Sequence, residues 1–396
     1  MRDSQSIAII GTGPAALMTA DVLSQSTHRV SIFEKRKGLG RKLLIAGSSG
    51  LNITNDLPVE EFKRHYSGPP ELWNQVLGGF SPQDWIQFIE TLGSPTFKGT
   101  SGRYFVQDMK ASGLLQKWKQ RLDQRKVEFY FDHECVDFET SHTSPRITLS
   151  FEGGKKMQFD AVYFALGGGS YEPKEDPLRW PALFIRKEID FSPFTPSNVG
   201  FRVDWKANFL KEAEGLPIKN IELSSPRGVR RGEIVITNYG MEGTPVYFVG
   251  QTGEVRLDLK PDLSIGQMIA KCRSVRENLS PIRRVKRQLN LSEAALALLF
   301  HEAPQSCLGD LEKLCQLIKS FPLLFIGKQP LVEAISSAGG INLNEINTKF
   351  MLKKFPGIFI GGEMLDWDAP TGGFLIQGCV SQGFAVGSSI LSYLQE

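Results

Sequence analysis

The chain has 396 residues, room for two or three domains, and its 41% hydrophobic and 22% charged residues are ordinary for a globular protein. A formal net charge of only +3 excludes polyelectrolyte binding by the chain as a whole. Five scattered cysteines without a CxxC and five isolated histidines argue against a metal ribbon, a dithiol redox pair or any metal site, and they suit a reducing cytoplasm.

The first element is a strand over the apolar run at 7–10, followed by GTGPAA. Gly11 and Gly13 permit a tight turn and a close backbone approach to a pyrophosphate. Pro14, at the first helical position, has no N–H to leave unpaired, and Ala15 continues the turn. Ala16 fills the third glycine position, which must be small where a helix packs on a strand. A helix over 14–24 then aims its N-terminal amides at phosphate oxygens. A second apolar run, RVSIFEK, ends at Glu34, 18 residues past Ala16. An acid there accepts hydrogen bonds from a ribose hydroxyl. Strand, glycine turn, helix, strand and terminal acid together point to an adenine dinucleotide. A signal peptide is not expected, because its apolar stretch would cut through this site. No unbroken apolar run approaches the roughly 18 residues of a membrane span. The longest strong one is AALALLF at 294–300.

A glycine-rich segment follows at 37–55. Helices are expected within 71–92, a turn and short strand at 101–108, and a helix over 110–126. One strand is expected over 127–139, then ITLSF and MQFDAVYFAL (147–166) read as a hairpin feeding another buried strand that ends in LGGGS. From 191 the pattern changes to short strand-like runs: VGFRVD, IELSS, EIVITNYG, TPVYFVG and EVRLDL. Residues 263–320 read as helical. Near 331 the chain returns, and 356–390 is again strand, turn and glycine-containing helix.

The segment GIFIGGE ends in Glu363, and TGGF opens the last helix with Thr371, Gly372, Gly373 and Phe374. In FAD enzymes of the glutathione-reductase type, such a unit holds the ribityl chain, and its helix N-terminus faces the flavin. Reduced flavin carries negative charge that a helix N-terminus stabilises. The strand 160–169, with Ala165, Leu166 and Gly167 at its end, matches the strand that passes under the FAD phosphates. By order along the chain, Val136 offers its amide and carbonyl to the adenine. No second GxGxxG follows a strand, so a nicotinamide donor docks transiently or electrons come from substrate.

GRKLLIAGSSGLNITN (40–55), ALGGGS (165–170), SSAGGINLNEIN (336–347) and GGEMLDWDAPTGGFLIQG (361–378) resemble the bacterial NAD(P)/FAD-dependent oxidoreductase family of conserved hypothetical flavoproteins. That family also carries the labels aminoacetone oxidase-like and bile-acid dehydro-4-reductase-like. A related branch reduces a uridine of large-subunit ribosomal RNA. The resemblance spans nearly the whole chain. Many relatives carry Gly-Arg-Cys-Asn where this chain has Gly50-Leu51-Asn52. Chemistry that depends on that cysteine is therefore not carried over.

The resemblance implies an α/β fold: a three-layer, Rossmann-like FAD-binding domain (1–190 and 343–396) with an inserted β domain (191–262 and 331–342) and an inserted helical domain (263–330). Gly11, Gly13 and Ala15 would hold the pyrophosphate and Glu34, followed by Lys35, the ribose. Arg41 and Lys42 would lie near the phosphates or flavin edge. Gly362 and Glu363 would meet the ribityl–phosphate region, and Gly372–Phe374 the flavin. Asn52 and Asn55 would face the isoalloxazine, and Trp367 beside that loop is a candidate to line a substrate pocket. The expected function is FAD-dependent redox chemistry on a small-molecule or RNA substrate, with NAD(P)H as a transient donor. Alternatives are an RNA-binding flavoprotein acting on ribosomal RNA uridine and an amine oxidase. The segment 271–289 holds seven Lys or Arg against one Glu, so Arg283, Arg284 and Arg287 are candidate RNA contacts, joined by Arg227, Arg230 and Arg231. No aromatic residue falls within 271–289, which gives no support for base stacking there.

Overall fold

The structure, a computed structural model, describes residues 4–48, 50–99, 101–141, 144–173, 176–274 and 279–395. Five short strands form one parallel sheet in the order Ile358–Ile360, Ala161–Phe164, Ser6–Ile10, Arg29–Phe33, Glu128–Tyr130. The first four are buried almost throughout, so they read as continuous apolar runs rather than alternating ones. From Ser6–Ile10 the chain crosses first to one side of the sheet and later to the other. The gap between Ser6–Ile10 and Ala161–Phe164 is therefore the topological switch point, where such sheets bind ligands.

Two layers cover this sheet. On one face lie helices Pro14–Leu23 and Phe374–Gln395, joined by a hydrogen bond from Thr19 Oγ1 to Gly383 O at 2.7 Å. On the other lies an antiparallel sheet of Cys135–Ser141, Ser144–Phe151 and Lys156–Phe159. Phe33 stands 4.6 Å from Phe151, and Phe138 stands 5.5 Å from Phe164, ring centre to ring centre. The three-layer α/β expectation is met in this unit.

Three readings change. The expected single strand over 127–139 is broken at Asp132, whose φ is +56°. Its halves, Glu128–Tyr130 and Cys135–Ser141, join different sheets. The break is held by tertiary bonds, from Asp132 N to Arg36 O and from His133 N to Glu34 O. TPVYFV is a helix, Thr244–Val249, between Gly243 and Gly250, both at positive φ. Its buried residues Val246 and Val249 are three apart, a helical spacing, not the two of a strand. The last helix, Phe374–Gln395, has 22 residues and is long and apolar enough to span a membrane by length and composition. Its glycines and serines break it into short apolar runs, none near 18 residues long. Its most apolar stretch is 61% buried against the rest of the chain, as in a core helix.

Residues up to 195 and from 335 form one compact unit, and 196–334 form another. The second unit has a seven-stranded antiparallel sheet in the order Phe321–Phe325, Gly253–Asp258, Pro217–Ser225, Gly228–Thr237, Gly240–Glu242, Phe201–Arg202, Gly327–Lys328. Met268, Val285, Leu298 and Leu314 from its helices share one core with Ile221, Leu223 and Leu257 from its sheet. The segments expected as separate β and helical insertions thus bury their apolar faces on each other. Strands Phe191–Pro196 and Ser337–Ile341, both expected within the β insertion, pair with each other, and all but Pro196 belong to the first unit.

Gly383 is the tightest point of the helix contact: a Cβ there would lie 2.3 Å from Ala15 O, a backbone atom. Gly383→Val should lower stability by about 1–3 kcal/mol or more. A urea melt checks this against Gly79→Ala, a position with nothing within 4 Å of the added carbon. Equal midpoints for Gly383→Val and wild type would rule out the close helix packing.

Candidate functional site

Each of four parallel strands ends at the same cleft: Ile10 leads to Gly11, Phe33 to Glu34, Phe164 to Ala165 and Ile360 to Gly361. Gly11 has a φ of +111°, and a Cβ there would stand 2.3 Å from Ala165 O. At Gly13 a Cβ would meet nothing within 4 Å. The backbone of the turn is thus bare where a ligand would approach, and the helix of Pro14–Leu23 starts there with Pro14 in its first turn.

Glu34 is the anchor at one end. Its Oε1 accepts from Arg36 N at 3.1 Å, and its Oε2 accepts from Thr12 Oγ1, which in turn accepts from Gly40 N at 3.0 Å. Burial raises the carboxyl's pKa, and the bonds from Thr12 and Arg36 pull it back only in part. Beside it is a cationic cluster. Lys42 Nζ donates to Gly168 O at 2.5 Å and pairs with Glu172 at 3.0 Å, and Arg36 pairs with Glu172 at 3.0 Å. Lys35 pairs with Asp176 at 3.2 Å, and Arg41 Nη1 donates to Tyr171 O at 2.6 Å.

The cleft continues past Pro14, Lys42, Leu43, Glu363 and Cys379, which line both halves, to a second half bounded by Asn52, Arg103, Thr371, Gly372 and Gly373. Burial raises the pKa of Glu363, with Lys42 acting the other way, and burial lifts the Cys379 thiol well above its ordinary value. Cys135, at the Glu34 end, is pushed up to about 12 by burial, so neither thiol is an activated nucleophile. Gly373 has a φ of +92°, and a Cβ there would lie 2.5 Å from Thr54 Cα, so this turn presses on the strand Asn52–Asn55. Asn52 Oδ1 is buried in this half with no hydrogen-bond partner. Such an acceptor is costly unless a bound group supplies an N–H.

Gly11, Gly13, Pro14, Ala15, Glu34, Lys35, Arg41, Lys42, Ala165, Leu166, Gly167, Gly362 and Glu363 line the first half. Asn52, Thr371, Gly372 and Gly373 line the second. Five expected residues stand elsewhere. Ala16 is fully buried and serves packing. Val136 is 38% exposed and outside the cleft. His133, Glu134 and Cys135 line it instead, because the bond from His133 N to Glu34 O sets where the chain passes. Asn55 Oδ1 accepts from Leu57 N at 3.3 Å and caps a turn. Trp367 is a core residue, 5.0 Å from the Trp73 ring, and its Nε1 donates to Gly362 O at 2.8 Å. It therefore shapes the cleft from behind. Phe374 packs on Phe62 at 4.5 Å and anchors the helix start. Thr12, Arg36, Glu172 and Arg103 were missed. Thr12 sat in plain view between the two glycines, but Arg103 carries no motif and reaches the cleft only through strand pairing.

Of the basic residues, the helix Pro281–Gln288 buries Val285 and exposes Arg283, Lys286 and Arg287, while Arg284 Nε donates to Leu279 O at 2.9 Å. Residues 275–278 of that segment lie outside the described residues. Arg231 is paired with Glu222 and Asp262, both at 3.0 Å, and Arg227 and Arg230 lie over the ring of Phe248. Among the described residues, no group of three or more His, Cys, Asp or Glu is placed to hold a metal ion.

The family described as HI0933-like protein Rossmann domain matches residues 5–389. The chain is 24% identical to the 3-dehydro-bile acid delta(4,6)-reductase of Clostridium scindens, over 96% of this chain and 98% of that one. It is 23% identical to the ribosomal RNA dihydrouridine synthase of Escherichia coli, over 97% of each. Among solved structures, 3-ketosteroid delta1-dehydrogenase from Sterolibacterium denitrificans matches with a TM-score of 0.55 at 11% identity, covering 98% of this chain and 100% of that one. The 3-ketosteroid-delta4-(5alpha)-dehydrogenase of Rhodococcus jostii matches at 0.53 and 12%, covering 99% and 97%. At these identities the structures establish likeness of fold.

Glu34 yields two opposed expectations. Its raised pKa means that charging the folded carboxyl costs stability as pH rises through that value. Glu34→Gln apoprotein should thus unfold at higher urea than wild type at alkaline pH, with the difference fading in acid. Glu34→Ala should bind FAD roughly 10–150-fold more weakly, the loss of a hydrogen bond to a charged group, and Glu34→Gln less so. Fluorescence titration of apoprotein with FAD measures this, and unchanged affinity in the alanine variant would exclude Glu34 as the ribose acceptor.

Proposed function

This chain belongs to the HI0933-like Rossmann family, and from that premise we propose that it is an FAD-dependent reductase of a carbon–carbon double bond conjugated to a carbonyl, with NAD(P)H as electron donor. The observation that carries the reading is the continuous cleft across the switch point, running from Glu34 to Gly372 and Gly373. Its residues fit FAD. The turn at Gly13 is open, Glu34 offers acceptors to ribose hydroxyls, and Asn52 Oδ1 awaits an N–H such as the isoalloxazine carries. Gly11, Gly13 and the helix amides after them would hold the diphosphate, with Arg41 and Lys42 supplying positive charge. Glu363, whose carboxyl pKa burial raises, would bond ribityl hydroxyls. Bound there, FAD supplies two-electron hydride chemistry. Leu43, Ala46, Leu51 and Ile376 line the second half with apolar groups.

The substrate class rests on both curated relatives. One is named for reducing delta(4,6) bonds of a 3-dehydro bile acid, the other for making dihydrouridine, which is uridine with two hydrogens added across a bond conjugated to its carbonyl. A second carrier of this chemistry, an RNA base, is favoured by the exposed cations of Pro281–Gln288. Leu51 leaves no thiol in that loop, so chemistry that depends on the cysteine many relatives carry there is not carried over.

Purified protein should be yellow, release FAD in acid, and bleach anaerobically with NADH or NADPH. Its colour should return when a 3-oxo-4-ene steroid or 2-cyclohexenone is added without oxygen. Colourless protein that takes up no FAD defeats the cofactor assignment, and bleached protein that only oxygen reoxidises defeats the substrate class. For the RNA carrier, affinity for single-stranded RNA should fall with a log–log salt slope of about −0.7 per phosphate contacted. Charge reversal at Arg283 and Arg287 should flatten that slope with FAD content unchanged.

A further inference from the structure

We propose that Arg103 receives the carbonyl oxygen of the substrate in the Gly372–Gly373 half of the cleft, a role that rests on the reductase reading above. No sequence motif marks Arg103. It is placed by an antiparallel pairing in which Asn55 faces Arg103 and Asn52 faces Phe105, so the strand that carries the unpartnered Asn52 Oδ1 also holds Arg103 at the cleft. Its Nε stands 3.6 Å from where a Cβ on Gly372 would be, and Gly372, at φ +117°, keeps that approach open. Arg103 and Lys42 are the cations lining this half among the described residues. Lys42 is turned to Gly168 O and Glu172, toward the phosphate end. A guanidinium has five donors in a rigid fork, so it can keep structural partners and still present an N–H to a ligand oxygen.

The chemistry calls for such a group at this end. When hydride adds to the β-carbon of an enone, the π pair moves and the charge settles on the carbonyl oxygen as an enolate. A proton from water then adds at the α-carbon, so one hydride (two electrons and a proton), supplied by the dihydronicotinamide and leaving oxidised nicotinamide, and one proton from water, leaving hydroxide, complete the reduction. A fixed cation beside that oxygen, among the apolar walls of Leu43, Leu51 and Ile376, stabilises the charge where water would otherwise do so. It also selects substrates, because a bond without a conjugated oxygen gains nothing from it.

A phenolate is a stable mimic of the enolate, and when stacked on oxidised flavin it gives a long-wavelength charge-transfer band. Titrating FAD-loaded protein with 4-chlorophenol should produce that band. Arg103→Ala should weaken binding by roughly 10–150-fold, Arg103→Lys should restore part of it, and FAD content should match wild type in both. The neutral 4-chloroanisole should bind all three proteins alike, separating lost charge from lost packing. The proposal is overturned if Arg103→Ala binds the phenolate as wild type does, if chloroanisole binding falls equally, or if both variants lose FAD. It is also overturned if FAD-loaded wild type binds no phenolate, although enone-driven reoxidation would then leave the reductase reading standing. Wild type without FAD overturns both.

Discussion

Two helices from opposite ends of the chain meet backbone to backbone, and the cleft depends on that contact. The hydrogen bond from Thr19 to Gly383 O spans 364 residues, and Gly383 lets the last helix settle on Ala15 O. Pro14–Leu23 starts at the Gly11–Gly13 turn, and Phe374–Gln395 starts at the Gly372–Gly373 turn. Their mutual position therefore fixes the spacing between the two halves of the cleft. Gly387 continues the contact, where a Cβ would lie 2.8 Å from Val22 Cβ. A side chain at either glycine would move one turn away from the other.

Around that contact the site is built from buried carboxyls and backbone rather than from nucleophiles. Glu34 and Glu363 both lie in surroundings that favour their neutral forms, and the thiols of Cys135 and Cys379 are suppressed by burial. Such an arrangement suits a site that holds a large, already charged cofactor. Of the cations lining the first half, Lys42 and Arg36 are paired with Glu172 and Lys35 with Asp176. Asn52 Oδ1, buried without a hydrogen-bond partner, costs the folded chain stability.

The second compact unit shows how a shift in sequence texture can mislead. Strand-like and helical stretches there look like two domains, yet Val285 and Leu314 from the helices need the sheet residues Ile221 and Leu257 to leave water. Neither group could bury its apolar side alone.

The sequence alone determined the glycine turn after the first strand, the acid at Glu34, the Thr371–Gly373 turn and the α/β class. Each of these is a local pattern: glycine where the backbone must stay bare, an acid at a strand end, small residues on a helix. Tertiary structure decided which of the neighbouring residues face the cleft. Val136 and Cys135 are adjacent in sequence, and the bond from His133 N to Glu34 O selects Cys135. Trp367 looked like a pocket residue and became a prop under Gly362, while Arg103 looked like nothing and became a wall of the site. Strand register and backbone hydrogen bonds between distant segments make those choices, and no residue type or spacing records them in one dimension.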